Sequence, residues 1–381
     1  MSWAIWITGL PGSGKSAIAR AAAGELRQRG RPVTVLELDE IRKSITPTPR
    51  YTDAERDVVY RALVYLAGLL TESGVPVILD ATAHRRAWRE LARATIPHFA
   101  EVQLVCPLEV AQERERARPA GHAPRDIYGQ ATRPGAAVPG VNVPYEAAAA
   151  PEVEIDTERE GVAEGAGRVV RLAETLAAVA SGRGASAESA EGGWAIWITG
   201  RPGSGKTTLA ARVGRELTTR GIGARVLDYA SVLRFLVGDA PAAEVEQDIG
   251  HRVLAYAAKL MTEAGVPVIV DATAPRRVWR EAARTLIPCF AEVQLLCPVE
   301  ICLERERATH WGLAAAREVS GYPRATVPDI VLDYEESFRP DLALRTDVHD
   351  VWAAAEQVLA LVQRLIRALP PRFASPERRL S

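Results

Sequence analysis

Short apolar runs alternate with longer helix-competent stretches from the first residues onward. Ala4–Thr8 reads as a short apolar strand, and a glycine-rich segment separates it from the alanine-rich helical run Ala17–Arg29. The β-branched stretch Pro32–Leu38 predicts a second strand ending in Asp39. A helix near Asp53–Ser73 follows, then a strand at Pro76–Leu79 ending in Asp80, a helix over Arg85–Thr95, a strand at Glu101–Cys106 and a charged helix from Leu108. Such alternation argues for an α/β fold with a mostly parallel sheet and helices on both faces. In sheets of this kind ligands bind outside the carboxyl ends of the strands. The glycine-rich segment, Asp39 and Asp80 all fall there.

The whole pattern occurs twice. WAIWITG stands at Trp3–Gly9 and again at Trp194–Gly200, an offset of 191 positions, and at that offset Gly74–Ala117 overlays Gly265–Ala308 without a gap. The repeated unit is far longer than the roughly 20–50 residues of a solenoid repeat, so each copy is expected to be a domain. The reading is 1–180 for the first domain, 181–193 (SGRGASAESAEGG) for a flexible linker, 194–369 for the second domain, and 370–381 for a disordered proline- and arginine-rich tail.

Each glycine-rich segment has the form G-x-x-x-x-G-K-[ST]: GLPGSGKS at Gly9–Ser16 and GRPGSGKT at Gly200–Thr207. Glycines let backbone N–H groups curl around phosphate oxygens, and the following helix N-terminus favours an anion. Gly9, Pro11, Gly12, Ser13, Gly14, Lys15 and Ser16 are therefore candidate nucleotide-binding residues, with Gly200, Gly203, Ser204, Gly205, Lys206 and Thr207 in the second copy. Lys15 and Lys206 would reach the β/γ-phosphates, while the Ser16 and Thr207 hydroxyls would hold Mg²⁺. Asp80 and Asp271, each closing an apolar strand, are candidate partners for the same ion. ATP and Mg²⁺ are thus the expected cofactors, and the fold is expected to be a tandem of P-loop NTPase or kinase domains.

Net charge is −1 and 48% of residues are hydrophobic, so the chain can bury a core and has no global field to recruit nucleic acid or an anionic membrane. A small anionic substrate is the expected partner. No run of about 18 apolar residues occurs, and Met1 leads directly into the first strand, so a cytoplasmic protein without a membrane span or signal peptide is expected. The four cysteines lack metal-like spacing and read as reduced core residues, Cys106 and Cys297 in strands. Only four lysines stand against 43 arginines, yet two of the four are Lys15 and Lys206.

Beyond the phosphate loop, LDEIR at Leu38–Arg42, YTDAER at Tyr51–Arg56 and the ending VNVPYEAAAAPEVEIDT at Val141–Thr157 resemble adenylylsulfate kinase, over nearly all of both repeats. The resemblance implies a P-loop kinase sheet, MgATP as donor, the 3′-hydroxyl of adenosine 5′-phosphosulfate as acceptor, and a role in sulfate activation. It implies that Asp39 lies near the acceptor hydroxyl as a catalytic carboxylate with Lys15, that Arg42 and Arg56 bind the phosphosulfate, and that Tyr51 stacks on the acceptor's adenine. Thr82 and Arg85 match the family's I-S-P-Y-R segment, and Arg114, with Arg305 in the second copy, opens a lid over ATP that runs to Gly140. A homodimer, a pseudo-dimer within one chain and a sulfate adenylyltransferase partner also follow from the family or the duplication. The family's asparagine is Val59 here, its lid lysine and second stacking phenylalanine fall near Ala136 and Val138, and DATAHRR after Asp80 is similar to kinases of polynucleotide or sugar hydroxyls.

In the second repeat Lys206, Thr207, Asp271, Arg276 and Arg305 persist, but Asp39 becomes Ala230, Arg42 Leu233, Arg56 Gln247 and Tyr51 Ala242. Asp228 and Arg234 nearby would be the material of a shifted site. The expectation is that the first repeat catalyses and the second binds nucleotide with poor turnover or another acceptor. A P-loop kinase of another hydroxyl and a nucleotide-binding regulatory module stay open as alternatives.

Overall fold

Two five-stranded parallel sheets carry the chain, one in each of two compact units, Met1–Ala187 and Glu188–Ser381. The computed structural model describes residues 1–117, 127–132, 136–181, 193–239, 242–308 and 334–369. Most of the expected linker, the tail, and the expected lid over 118–126 and 133–135 lie outside the described residues.

In the first unit the strands are β1 (Ala4–Thr8), β2 (Thr34–Glu37), β3 (Val77–Asp80), β4 (Phe99–Val105) and β5 (Val153–Asp156), in the order β2-β3-β1-β4-β5. The central strand β1 pairs with β3 on one side and β4 on the other, and all five of its residues are buried. A strand covered on both faces needs no polar alternation, which is why its sequence is uniformly apolar. The helices are α1 (Lys15–Gln28), α2 (Leu38–Ile45), α3 (Asp53–Glu72), α4 (Arg86–Thr95), α5 (Leu108–Ala117) and α6 (Val162–Ser181). Ile5, Ile7 and Ile78 of the sheet pack on Ile18, Ala22 and Leu26 of α1 and on Val169 and Val170 of α6.

β2 ends earlier than its composition predicts. Its ladder runs only to Glu37, opposite Asp80, where β3 also stops. Leu38 has no strand to pair with there, and L-D-E-I-R-K turns directly into α2. Asp39 therefore sits in the first turn of a helix rather than at a strand end. Thr52 starts α3 as an N-cap whose side chain accepts from Glu55 N, worth about 1 kcal/mol.

The second unit repeats the plan with β6 (Ala195–Gly200), β7 (Arg225–Asp228), β8 (Val268–Asp271), β9 (Phe290–Leu296) and β10 (Leu342–Arg345), in the order β7-β8-β6-β9-β10. Its helices are α7 (Lys206–Thr219), α8 (Tyr229–Val237), α9 (Glu244–Glu263), α10 (Arg277–Leu286), α11 (residues 299–308) and α12 (Val351–Ala368). All four cysteines are free, and Cys106 and Cys297 lie one residue past β4 and β9 rather than within them. Among the described residues no helix is long and apolar enough to cross a membrane.

Candidate functional site

The phosphate loop links the buried end of β1 to α1, and its glycines are required by geometry. Gly9, Gly12 and Gly14 have φ of 149°, 77° and 97°. A Cβ on Gly12 would lie 2.1 Å from the Ala111 carbonyl oxygen, because the loop presses against the backbone of α5. Gly14 has open space around it, so only its left-handed backbone calls for glycine. Lys15 is buried and its Nζ donates to the Leu10 carbonyl at 2.8 Å, which lays the ammonium across the loop.

At the end of β3, Asp80 is buried and accepts a hydrogen bond from the Ser16 hydroxyl. Burial pushes its carboxyl above the ordinary value, against the opposing pull of Lys15 and the Ser16 bond. A carboxylate so placed is short of positive charge, and with a hydroxyl beside it forms the hard-oxygen donor set that Mg²⁺ prefers. Among the described residues no three His, Cys, Asp or Glu gather to hold a metal, so the protein offers part of a coordination shell and no closed cage.

The loop opens into a cavity of about 1210 Å³ whose lining brings Lys15, Ser16 and Asp80 together with Asp39, Arg42, Tyr51, Arg56 and Thr82. Arg42 lies 3.7 Å from Glu55 Oε1, and its buried Nη1 has no hydrogen-bond partner among the described residues. Arg56 is held by Asp53 at 3.3 Å. Tyr51 has φ 55°, a strained value for a tyrosine, fixed by its own N–H and that of Arg50 donating to the Glu55 carboxylate at 3.2 and 2.7 Å. Its exposed ring lies 5.6 Å from the Arg42 guanidinium. Arg114 lines the cavity too, donating to the Thr157 carbonyl at 2.8 Å and its hydroxyl at 3.2 Å, so α5 is tied to the turn after β5.

Arg85 is set apart from this group. It is the N-cap residue of α4, pairs with Asp53 at 2.7 Å, packs over Trp88, and is not among the residues that line the cavity. Arg89, on the same helix, is fully buried: it pairs with Glu101 and donates to the carbonyls of Ala83 and Glu146. The PYE ending completes this clamp, since Tyr145 meets the Thr8 hydroxyl at 3.0 Å and Glu146 N donates to the His84 carbonyl at 2.9 Å. Together they pin Ala83 at φ 41° and hold the strand-end loop that carries Thr82 and His84. The Trp88 and Arg89 positions, with Ala92, share one helical face, a spacing that carried the signal of burial.

His84, whose counterpart in the second repeat is Pro275, lines the cavity and is 7% exposed. Burial, with Arg85 and Arg56 nearby, pushes its imidazole down to about 4, so it is neutral at physiological pH. Arg50, Tyr60 and Glu115 are further lining residues that the sequence did not single out.

The second unit preserves the phosphate side closely. Gly200, Gly203 and Gly205 have φ of 151°, 76° and 94°, Lys206 Nζ donates to the Arg201 carbonyl at 3.0 Å, and Arg305 donates to the Thr346 carbonyl at 2.7 Å. Asp271 accepts from the Thr207 hydroxyl and is raised by burial, as Asp80 is. The acceptor side differs. Asp228 caps α8 by accepting from Ser231 N at 3.2 Å, and the mostly exposed Arg234 pairs with Asp239 at 3.5 Å.

Comparison with known proteins places this geometry. The family model described as adenylylsulphate kinase matches residues 1–156 and again 192–345. A probable adenylyl-sulfate kinase of Archaeoglobus fulgidus is 35% identical over 160 residues, which is 42% of this chain and 98% of that protein. A probable bifunctional SAT/APS kinase 2 of Sorangium cellulosum is 34% identical over 45% of this chain and 28% of its own length. Among solved structures, the Mycobacterium tuberculosis APS kinase CysC in complex with AMPPNP and APS is 28% identical and covers 45% of this chain and 99% of that one, with a TM-score of 0.37.

Proposed function

The chain belongs to the adenylylsulphate kinase family, and on that premise we propose that its first unit transfers the γ-phosphoryl group of ATP to the 3′-hydroxyl of adenosine 5′-phosphosulfate. The observation that carries this reading is the single cavity in which the phosphate loop meets Asp39, Arg42, Tyr51 and Arg56. A donor and an acceptor nucleotide need both halves within one space, because phosphoryl transfer is largely a matter of positioning and charge stabilisation.

In this reading the backbone N–H groups of Gly12–Ser16 cradle the β- and γ-phosphates and Lys15 neutralises charge on the group in transit. Arg114 and the turn after Thr157 flank the ATP side. The Arg42 and Arg56 guanidinia take the phosphosulfate, a role that suits a planar, always-charged fork and fits the unsatisfied Arg42 Nη1. Tyr51 offers its exposed ring to the acceptor's adenine. Asp39, at the start of α2, orients the 3′-hydroxyl and accepts its proton as the new O–P bond forms and the bond to the ADP oxygen breaks. Ser16 and Asp80 would hold Mg²⁺, which when bound would offset the negative charge of the phosphates.

Turnover belongs to the first unit because the second has none of Asp39, Arg42, Arg56 or Tyr51 at the equivalent positions. The acceptor is a mixed anhydride of adenylate and sulfate, so an adenylyl transfer from ATP to sulfate must supply it. A sulfate adenylyltransferase is accordingly the proposed upstream partner, in keeping with the bifunctional name of the Sorangium relative.

Steady-state kinetics of Arg42→Ala and Arg56→Ala test the acceptor assignment. Each is expected to raise KM for adenosine 5′-phosphosulfate at least tenfold, since a charge-assisted contact is worth about 1.5–3 kcal/mol, while KM for ATP changes little. Equal loss for both substrates, or no loss, would remove the arginines from the acceptor site.

A further inference from the structure

The acceptor half of the second unit is not merely stripped of its charges; it is filled. In the first unit Leu38, Arg42 and Tyr60 line the cavity beside Val59 of α3. The equivalent residues are Tyr229, Leu233, His251 and Gly250, and they form one packed set. His251 stacks on Trp279 at 3.8 Å and 5°, as Tyr60 does on Trp88 in the first unit at 3.9 Å and 12°, and the added layer is Tyr229, whose ring stacks on His251 at 3.9 Å and 26°. The Tyr229 hydroxyl donates to the Gln247 carbonyl at 3.2 Å, and Gln247 Nε2 donates to the Ala242 carbonyl at 3.1 Å.

Gly250 is what lets this packing form. A Cβ there would lie 3.2 Å from Tyr229 Cε2 and 3.3 Å from Leu233 Cδ1, tighter than ordinary contact, so a residue as large as the Val59 of the first unit would push both side chains outward. The exchanges fit one another, since the Tyr229 ring and the Leu233 side chain lie where Gly250 leaves room. His251 is 4% exposed, its Nδ1 is bonded to the Gln247 carbonyl at 2.8 Å, and burial pushes the imidazole down to about 4. Tyr229, Leu233 and His251 therefore replace the Arg42 guanidinium of the first unit with side chains that carry no positive charge.

The phosphate half meanwhile keeps its left-handed glycines, its lysine across the loop, its hydroxyl–carboxylate pair and its arginine tie. The loop's shape still depends on glycine, since a Cβ on Gly203 would stand 2.3 Å from the Cys302 carbonyl oxygen. We propose that the second unit is a nucleotide-holding domain: it binds ATP or ADP at Gly200–Thr207 and transfers nothing, its acceptor chamber being closed by Tyr229 and Leu233 packed against Gly250 and His251. The inference goes beyond the reading above and does not depend on which hydroxyl the first unit phosphorylates.

Equilibrium dialysis of the full chain against radiolabelled ADP with Mg²⁺ tests it. Wild type is expected to bind two equivalents, Lys15→Met and Lys206→Met one each at unchanged affinity for the surviving site, and the double variant none at concentrations that saturate wild type. Methionine keeps the length of the buried lysine stem, and circular dichroism of each variant separates lost binding from lost folding. If a Lys206 variant destabilises the chain, the competing arm is Arg305→Gln, expected to weaken the second equivalent at least tenfold and leave the first unchanged. One equivalent in wild type, abolished by Lys15→Met, would overturn the proposal. So would acceptor-stimulated ADP release that survives Lys15→Met and disappears with Lys206→Met.

Discussion

Replacing Asp39 by Asn is expected to lower kcat for acceptor-dependent ADP release by about 10²–10⁴, with KM for ATP nearly unchanged. The substitution keeps the size of the side chain and its place in the first turn of α2, where Leu38 and Ile41 bury the helix against the unit. It removes the group that takes the proton of the attacking hydroxyl. Loss of kcat with intact ATP binding is the pattern of an interaction made mainly in the transition state. Pre-steady-state mixing with saturating ATP and acceptor checks it: full turnover in the variant would reduce Asp39 to a helix-terminal residue that complements the dipole.

A second large effect comes from a single methyl group. Gly12→Ala is expected to lower turnover at least 100-fold, because its Cβ would stand 2.1 Å from a backbone oxygen of α5 and neither backbone can yield cheaply. To relieve the clash the loop must move away from Ala111, and a displacement of about 1 Å in a positioning element costs on the order of 10²-fold. Left-handed φ adds roughly 1–3 kcal/mol of strain for alanine. Gly203→Ala makes the same clash against Cys302 in the second unit, yet is expected to leave turnover within a factor of two. Comparable losses from both substitutions would mean that both units transfer phosphoryl groups.

Much of the fold could be read from the chain, because its strongest signals are local. The uniformly apolar β1, the glycine-rich loop and the helix after it form one continuous stretch of sequence, and the repeat confirms each by a second copy. Boundaries set by pairing were less visible: nothing in P-V-T-V-L-E-L-D says that β3 stops opposite Glu37, and that stop is what moves Asp39 into a helix. Roles set by tertiary contact were hidden in the same way. Arg89 looks like its neighbours Arg85 and Arg86 in sequence, yet Glu101 from β4 and two carbonyls bury it. Comparison of the repeats exposed which acceptor residues were lost, but not that Tyr229, Leu233, Gly250 and His251 replace them as a set, because α8 and α9 must first be packed together. The same comparison gives no sign of His84, since Pro275 stands at its counterpart.

The central claim is a division of labour between two copies of one phosphate site, and the measurement that tests it most directly is ADP release under MgATP by wild type, Lys15→Ala and Lys206→Ala, each with and without adenosine 5′-phosphosulfate. Stimulation by the acceptor in wild type and Lys206→Ala, with none in Lys15→Ala, is the predicted result. Acceptor-stimulated release that persists in Lys15→Ala, or an acceptor that stimulates none of the three proteins, would contradict it.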